Sequence, residues 1–200
     1  MVLAASVATG CSEPISGSPT QQSSLAASNT SSGPRQTDDN GVSLPFENRF
    51  LLRWNGSNDG TSYEPCTTDP NDLSRIGIDP RSVKDAATVD GQSLRGCTWN
   101  YLPPQSEYLA ISQTVVDSSD LSWYKQQNQV GSTWLPDRVI GGRDIGVASD
   151  TSGSCTTYVQ SGGSGVITLA DYALSPSKPV AEICGYAIDM VTATINKIPK

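Results

Sequence analysis

The sequence predicts an α+β domain, an antiparallel β-sheet packed against two or three helices and stapled by two disulfides. Three observations point there. Residues 95–102 (RGCTWNYL) alternate Cys97, Trp99 and Tyr101 on one face, and 108–116 follow as a Val/Ile-rich run, the pattern of paired strands. From Pro179 to Lys197, Ile183, Ala187, Val191, Thr194, Ile195 and Ile198 recur at helical spacing, one apolar helix face. Cys66, Cys97, Cys155 and Cys184 are spread through the same region.

The elements follow in order. Residues 45–54 (PFENRFLLRW) carry the first dense apolar cluster, and the turn-rich stretch 55–65 leads to Cys66. Asp69 before Pro70 is an N-cap followed by proline at the first helical position; with Leu73, Ile76 and then Gly77 it predicts a short helix over 69–76. Pro103-Pro104 ends the 95–102 strand, and 108–116 is its expected antiparallel partner. Ser118 or Ser119 is the expected cap of a helix over 120–128. One strand is expected over 138–148, interrupted by Gly141-Gly142 as a bulge or turn. A hairpin joins 155–160 to 166–172 through a Ser-Gly-Gly-Ser-Gly turn, and Cys184 lies beside the apolar stripe of the final helix.

The start of the chain reads differently. Residues 2–10 are apolar and small, the look of a signal-peptide core, but no positive charge precedes them, so the true start is expected upstream. Val7-Ala8-Thr9-Gly10-Cys11 resembles a bacterial lipobox, which implies a thioether-linked diacylglycerol on Cys11. Two or three acyl chains at about 0.8 kcal/mol per buried CH2 anchor a protein firmly. Residues 12–41 are Ser/Thr/Pro-rich with few aliphatics and read as a disordered tether. The expected layout is thus a truncated signal and lipobox remnant over 1–10, the tether over 11–41, and one domain over 42–200.

Composition narrows the function classes. Thirteen Lys+Arg against 20 Asp+Glu give a formal net charge of -7, which disfavours nucleic acid, whose phosphates need a basic face. There is no histidine, the commonest general base near neutral pH and a leading metal ligand. The four domain cysteines lie far apart, unlike the close pairs of a metal site, and a catalytic thiol lacks its usual His partner. Two disulfides in an oxidising compartment remain. Of three possible pairings, Cys66–Cys97 with Cys155–Cys184 is preferred, because it staples the first helix to the first strand and the hairpin to the last helix.

Glu64-Pro65-Cys66, Leu73, Gly77, Cys97-Thr98-Trp99, a single Cys155 opening a strand, and a terminal helix with Cys184 and Ala187 resemble, as an ordered set, an actinobacterial lipoprotein family, domain of unknown function 3558. That family usually has Asp-Pro-Cys at the first motif, where this chain has Glu64. The resemblance spans about residues 60–199. It implies a lipid-anchored protein on the extracytoplasmic face of the cell membrane, and it offers no catalytic residue to carry over. A looser similarity, in cysteine-bearing α+β layout, is to the extracellular sensor domain of some mycobacterial serine/threonine kinases, which implies sensing or binding.

Among candidate sites, Trp99 is expected to pack beside a disulfide. Trp123, Tyr124 and Trp134 form a possible binding surface, since adjacent aromatics on a helix cannot both face the core. Gly162-Gly163 is a hairpin turn rather than a phosphate loop, and Asp69, Asp72, Asp79 and Asp85 read as caps and solvated turns. No metal and no cofactor are expected, and no enzymatic activity. The expected role is non-catalytic binding of a lipid, glycan or small molecule. The alternative is an accessory subunit docking onto an envelope or membrane protein complex.

Overall fold

The computed structural model describes residues 33–150, 153–173 and 178–200. Cys11, the lipobox and most of the expected tether lie outside the described residues.

Seven strands form one antiparallel sheet: β1 Lys84–Asp85, β2 Leu94–Asn100, β3 Leu109–Asp117, β4 Thr133–Ile140, β5 Arg143–Ser149, β6 Ser154–Ser161 and β7 Ser164–Tyr172, in the order β1-β2-β3-β7-β6-β5-β4. Three helices accompany it: α1 Pro70–Arg75, α2 Leu121–Gln127 and α3 Val180–Thr194. The α+β expectation holds.

Strand parity sets the layers. Along β3, Leu109, Ile111, Gln113 and Val115 are buried, while Ala110, Ser112, Thr114 and Val116 are half-buried. One sheet face is thus core and the other is partly wet. α3 lies across the core face and buries Ile183, Cys184, Ala187, Met190, Val191 and Thr194. Ile195 and Ile198 continue its stripe into the core beyond the helix. α2 packs on the opposite face, over β5 and β6.

Several elements differ from the sequence reading, each for a local reason. The single strand expected over 138–148 is two strands, β4 and β5, folded back at Gly141-Gly142. Both glycines have positive φ, 58° and 73°, which the two-residue mirror-image hairpin turn requires. α2 is capped by Asp120, whose Oδ1 accepts from the Trp123 N–H at 2.7 Å. Ser118 is instead buried and bonded to the Tyr158 hydroxyl at 2.9 Å.

The body also begins before Val42. The Gln36 amide side chain donates to Asn48 O and accepts from Asn48 N, both at 2.9 Å. Buried Asp38 accepts from the N–H groups of Asn40 and Val42 and from the Thr67 hydroxyl. Residues 35–41 are held by hydrogen bonds rather than apolar burial, which is why their polar composition reads as tether.

Candidate functional site

The two predicted disulfides form. Cys66 joins Cys97 with a Cα–Cα distance of 5.2 Å, and Cys155 joins Cys184 at 5.0 Å. The first ties the loop before α1 to β2, and the second ties β6 to α3. Trp99, 1% exposed, packs in the same core cluster as both disulfides.

The predicted aromatic surface divides. Tyr124 stacks on Tyr158 with ring centroids 4.7 Å apart and meets Trp134 edge-on at 6.1 Å. Lys125 sits 5.4 Å above the Trp134 ring and pairs with Asp137 at 2.7 Å. Nearby, Gly146 leaves room for Leu121: a Cβ there would lie 2.4 Å from Leu121 Cδ1. Tyr124 and Trp134 therefore fasten α2 to the outer sheet face. Trp123 points away from this contact and stays 41% exposed.

A buried ionic cluster lies behind the first disulfide. Glu64 accepts from Arg53 Nη1 at 2.7 Å, Arg53 Nη2 at 3.2 Å, Arg95 Nη1 at 3.1 Å and the Cys66 N–H at 3.1 Å. Arg53 Nε also reaches Asp85 at 3.0 Å. Arg95 spends its other donors on the carbonyls of Asn58, Thr61 and Tyr63. Trp54 stacks under Arg53 and Arg35, with ring-to-guanidinium distances of 4.7 and 4.4 Å. Burial is the largest influence on Arg53 and disfavours its charge, but hydrogen bonds and charge from Glu64, with help from Asp85, more than reverse it. For Arg95 burial prevails and lowers the pKa despite Glu64. The cluster fixes the 53–66 loop against β2.

A readable signal for this cluster was present. Arg95 shares strand parity with Cys97 and Trp99, so it must point inward, and an inward guanidinium needs a carboxylate. Next to it the Tyr63 hydroxyl donates to Gln113 Oε1 at 2.6 Å, and Gln113 Nε2 donates to Thr168 and Thr194. Burial pushes the Tyr63 hydroxyl up to about 12.

Two concavities compete as ligand sites. The larger, about 610 Å³, is lined by Asp38, Tyr63, Glu64, Thr68, Asp69 and Lys197, among others. Its polar groups are mostly spent within the protein: Asp69 caps α1, Glu64 holds the arginines, Thr68 donates to Pro65 O, and Lys197 pairs with Asp72. The smaller, about 350 Å³, is a groove between β4 and α3. Leu135 and Val147 form its sheet wall, Val180, Cys184 and Ile188 its helix wall, and Arg138 stands among them. Arg138 is exposed and makes no ion pair among the described residues. The aromatic triad lines neither concavity. Among the described residues no cluster of three His, Cys, Asp or Glu side chains could hold a metal, and no helix is long and apolar enough to cross a membrane.

The fold and its staples define a small two-disulfide α+β domain with an apolar groove along its terminal helix. A family model described as Protein of unknown function (DUF3558) matches residues 6–197, and the chain belongs to that family. No curated protein and no solved structure matches it.

Proposed function

We propose that this chain is a cell-envelope lipoprotein, anchored through lipid on Cys11 to the outer side of the cell membrane, whose folded body binds a ligand without transforming it. The observation that carries the reading is the groove of about 350 Å³ between β4 and α3, apolar along its walls with one charged group beside them. That composition, mostly apolar lining with a few orienting polar groups, is the usual character of a small-molecule site. The absence of histidine from the chain and the pairing of the four domain cysteines support binding over catalysis. Exposed Trp123 favours the second reading, an accessory subunit contacting an envelope complex.

Native mass spectrometry of the full chain, purified gently from membranes, tests the first reading: a small molecule is expected to co-purify and to raise the unfolding temperature when added back. Cys11→Ala is expected to move the protein from the membrane to the soluble fraction. A ligand-free protein that cross-links at Trp123 to one stoichiometric partner would transfer the assignment to the second reading.

A further inference from the structure

Resting on the binding reading, we propose that the β4–α3 groove takes a long-chain fatty carboxylate, with its chain along the apolar walls and its head group on Arg138. The walls offer Leu135, Val147, Val180, Cys184 and Ile188, side chains that supply apolar contact and no charge. A ligand there must bury a hydrocarbon surface, because water in such a groove finds few partners.

The head group follows from charge. The chain carries a net charge of -7, and most of its basic side chains are already occupied. Arg53 and Arg95 are consumed by Glu64, Arg75 by Asp72, Arg81 by Asp79, Lys125 by Asp137, and Lys178 by Glu182. Among the described residues Arg138 has no ion pair, and it stands at an apolar groove. Its neighbour Asp137 makes no ion pair with it and is held instead by Lys125, whose Nζ donates to both Asp137 oxygens at 2.7 Å. An Arg fork matches a carboxylate with two parallel hydrogen bonds.

One cation among the lining residues fits a singly charged head. A phosphate monoester, carrying up to two charges, calls for more than one. A groove of about 350 Å³ is too small for two long acyl chains, which disfavours two-chain phospholipids. The larger depression suits the same anion less well, since Asp38 and Asp69 line it and its lysine, Lys197, is paired with Asp72.

The test is calorimetric titration of the full chain with oleate below its micelle-forming concentration. Oleyl alcohol serves as the uncharged control, and phosphatidylglycerol vesicles as the two-chain source. Oleate is expected to bind one to one. The alcohol is expected to bind at least tenfold more weakly, and the vesicles not to compete. Arg138→Gln is expected to weaken oleate binding about ten- to hundredfold, the loss of a charge-assisted hydrogen-bond pair, and to leave the alcohol unchanged. Ala181→Phe, at an exposed helix position on the groove wall, fills the groove without touching the core and is expected to abolish both. Oleate binding that survives Ala181→Phe, or that Arg138→Gln leaves unchanged, overturns the assignment. If oleate does not bind, but a co-purifying ligand is lost on Ala181→Phe, the fatty-carboxylate assignment falls and the binding reading stands. If neither binds, both fall.

Discussion

Replacing Glu64 with Gln removes the carboxylate that two buried guanidiniums share. Arg53, Arg95 and Glu64 are 1%, 0% and 3% exposed, so bulk water cannot take over the lost contacts. Glu64 accepts three of its hydrogen bonds from the arginines and one from the Cys66 N–H. Without its charge, the carboxylate left in contact with the cations is Asp85, whose side chain is 15% exposed and pairs with Arg53 but not with Arg95. Arginine cannot relieve the imbalance by losing a proton. Breaking a buried ion pair from one side costs about 3–5 kcal/mol, a large part of a net stability of about 5–15 kcal/mol. For a domain of this size that lowers Tm by about 6–20 °C. Circular dichroism under heating and urea titration both read it. Asp137→Asn, which breaks an exposed pair with Lys125, is the control and is expected to cost at most about 1 kcal/mol. A Glu64→Gln protein within about 1 kcal/mol of wild type would refute the view that this carboxylate is the countercharge on which the cluster depends.

Tyr63 predicts a pH dependence. Its folded pKa is pushed up to about 12, above the ordinary tyrosine value of about 10. Below about pH 10 both states keep the proton and stability is unaffected. Between about pH 10 and 12 the unfolded chain ionises first, so stability falls as pH rises, by at most about 2–3 kcal/mol. Tyr63→Phe should remove that part of the slope in urea titrations across this range. Paired alanine substitution of Cys155 and Cys184 is expected to lower stability by about 2–4 kcal/mol, and peptide mapping without reductant to recover the 66–97 and 155–184 links; a 66–155 link contradicts the topology. Tyr124→Ala is expected to cost about 2–3 kcal/mol by loosening α2, and Trp123→Ala less than about 1 kcal/mol. Equal costs would show that Trp123 also packs.

Periodic features were legible. The stripe from Ile183 to Ile198 and the alternation Cys97, Trp99, Tyr101 record which side of an element meets apolar neighbours, and both are buried as read. The Cys66–Cys97 and Cys155–Cys184 pairing agreed with the preferred topology. Features that depend on partners distant in sequence were not legible. Nothing near Gln36 announces that Asn48 will bind it, so its segment read as tether. Gly141-Gly142 was correctly marked as a break, but a fold-back and a bulge share that signature, and only the register Ile140 with Arg143 separates them. The groove was invisible for a similar reason. Leu135 and Cys184 are each ordinary apolar positions, and only the packing of α3 beside the sheet's last strand opens a space between them.

That space has walls of unequal stiffness. The Cys155–Cys184 link bolts α3 to the interior strand β6, so the helical wall is fixed covalently. β4 is an edge strand that pairs only with β5, its register shifts between Leu135 and Arg138, and its residues are half-buried or exposed throughout. Pro136 supplies no N–H there to a further strand, which protects the free edge from pairing with another chain. The strand is therefore the compliant jaw of a clamp whose other jaw is rigid. On the binding reading, entry is expected through outward flexing of β4, and an occupant is expected to slow amide exchange along β4 more than along α3.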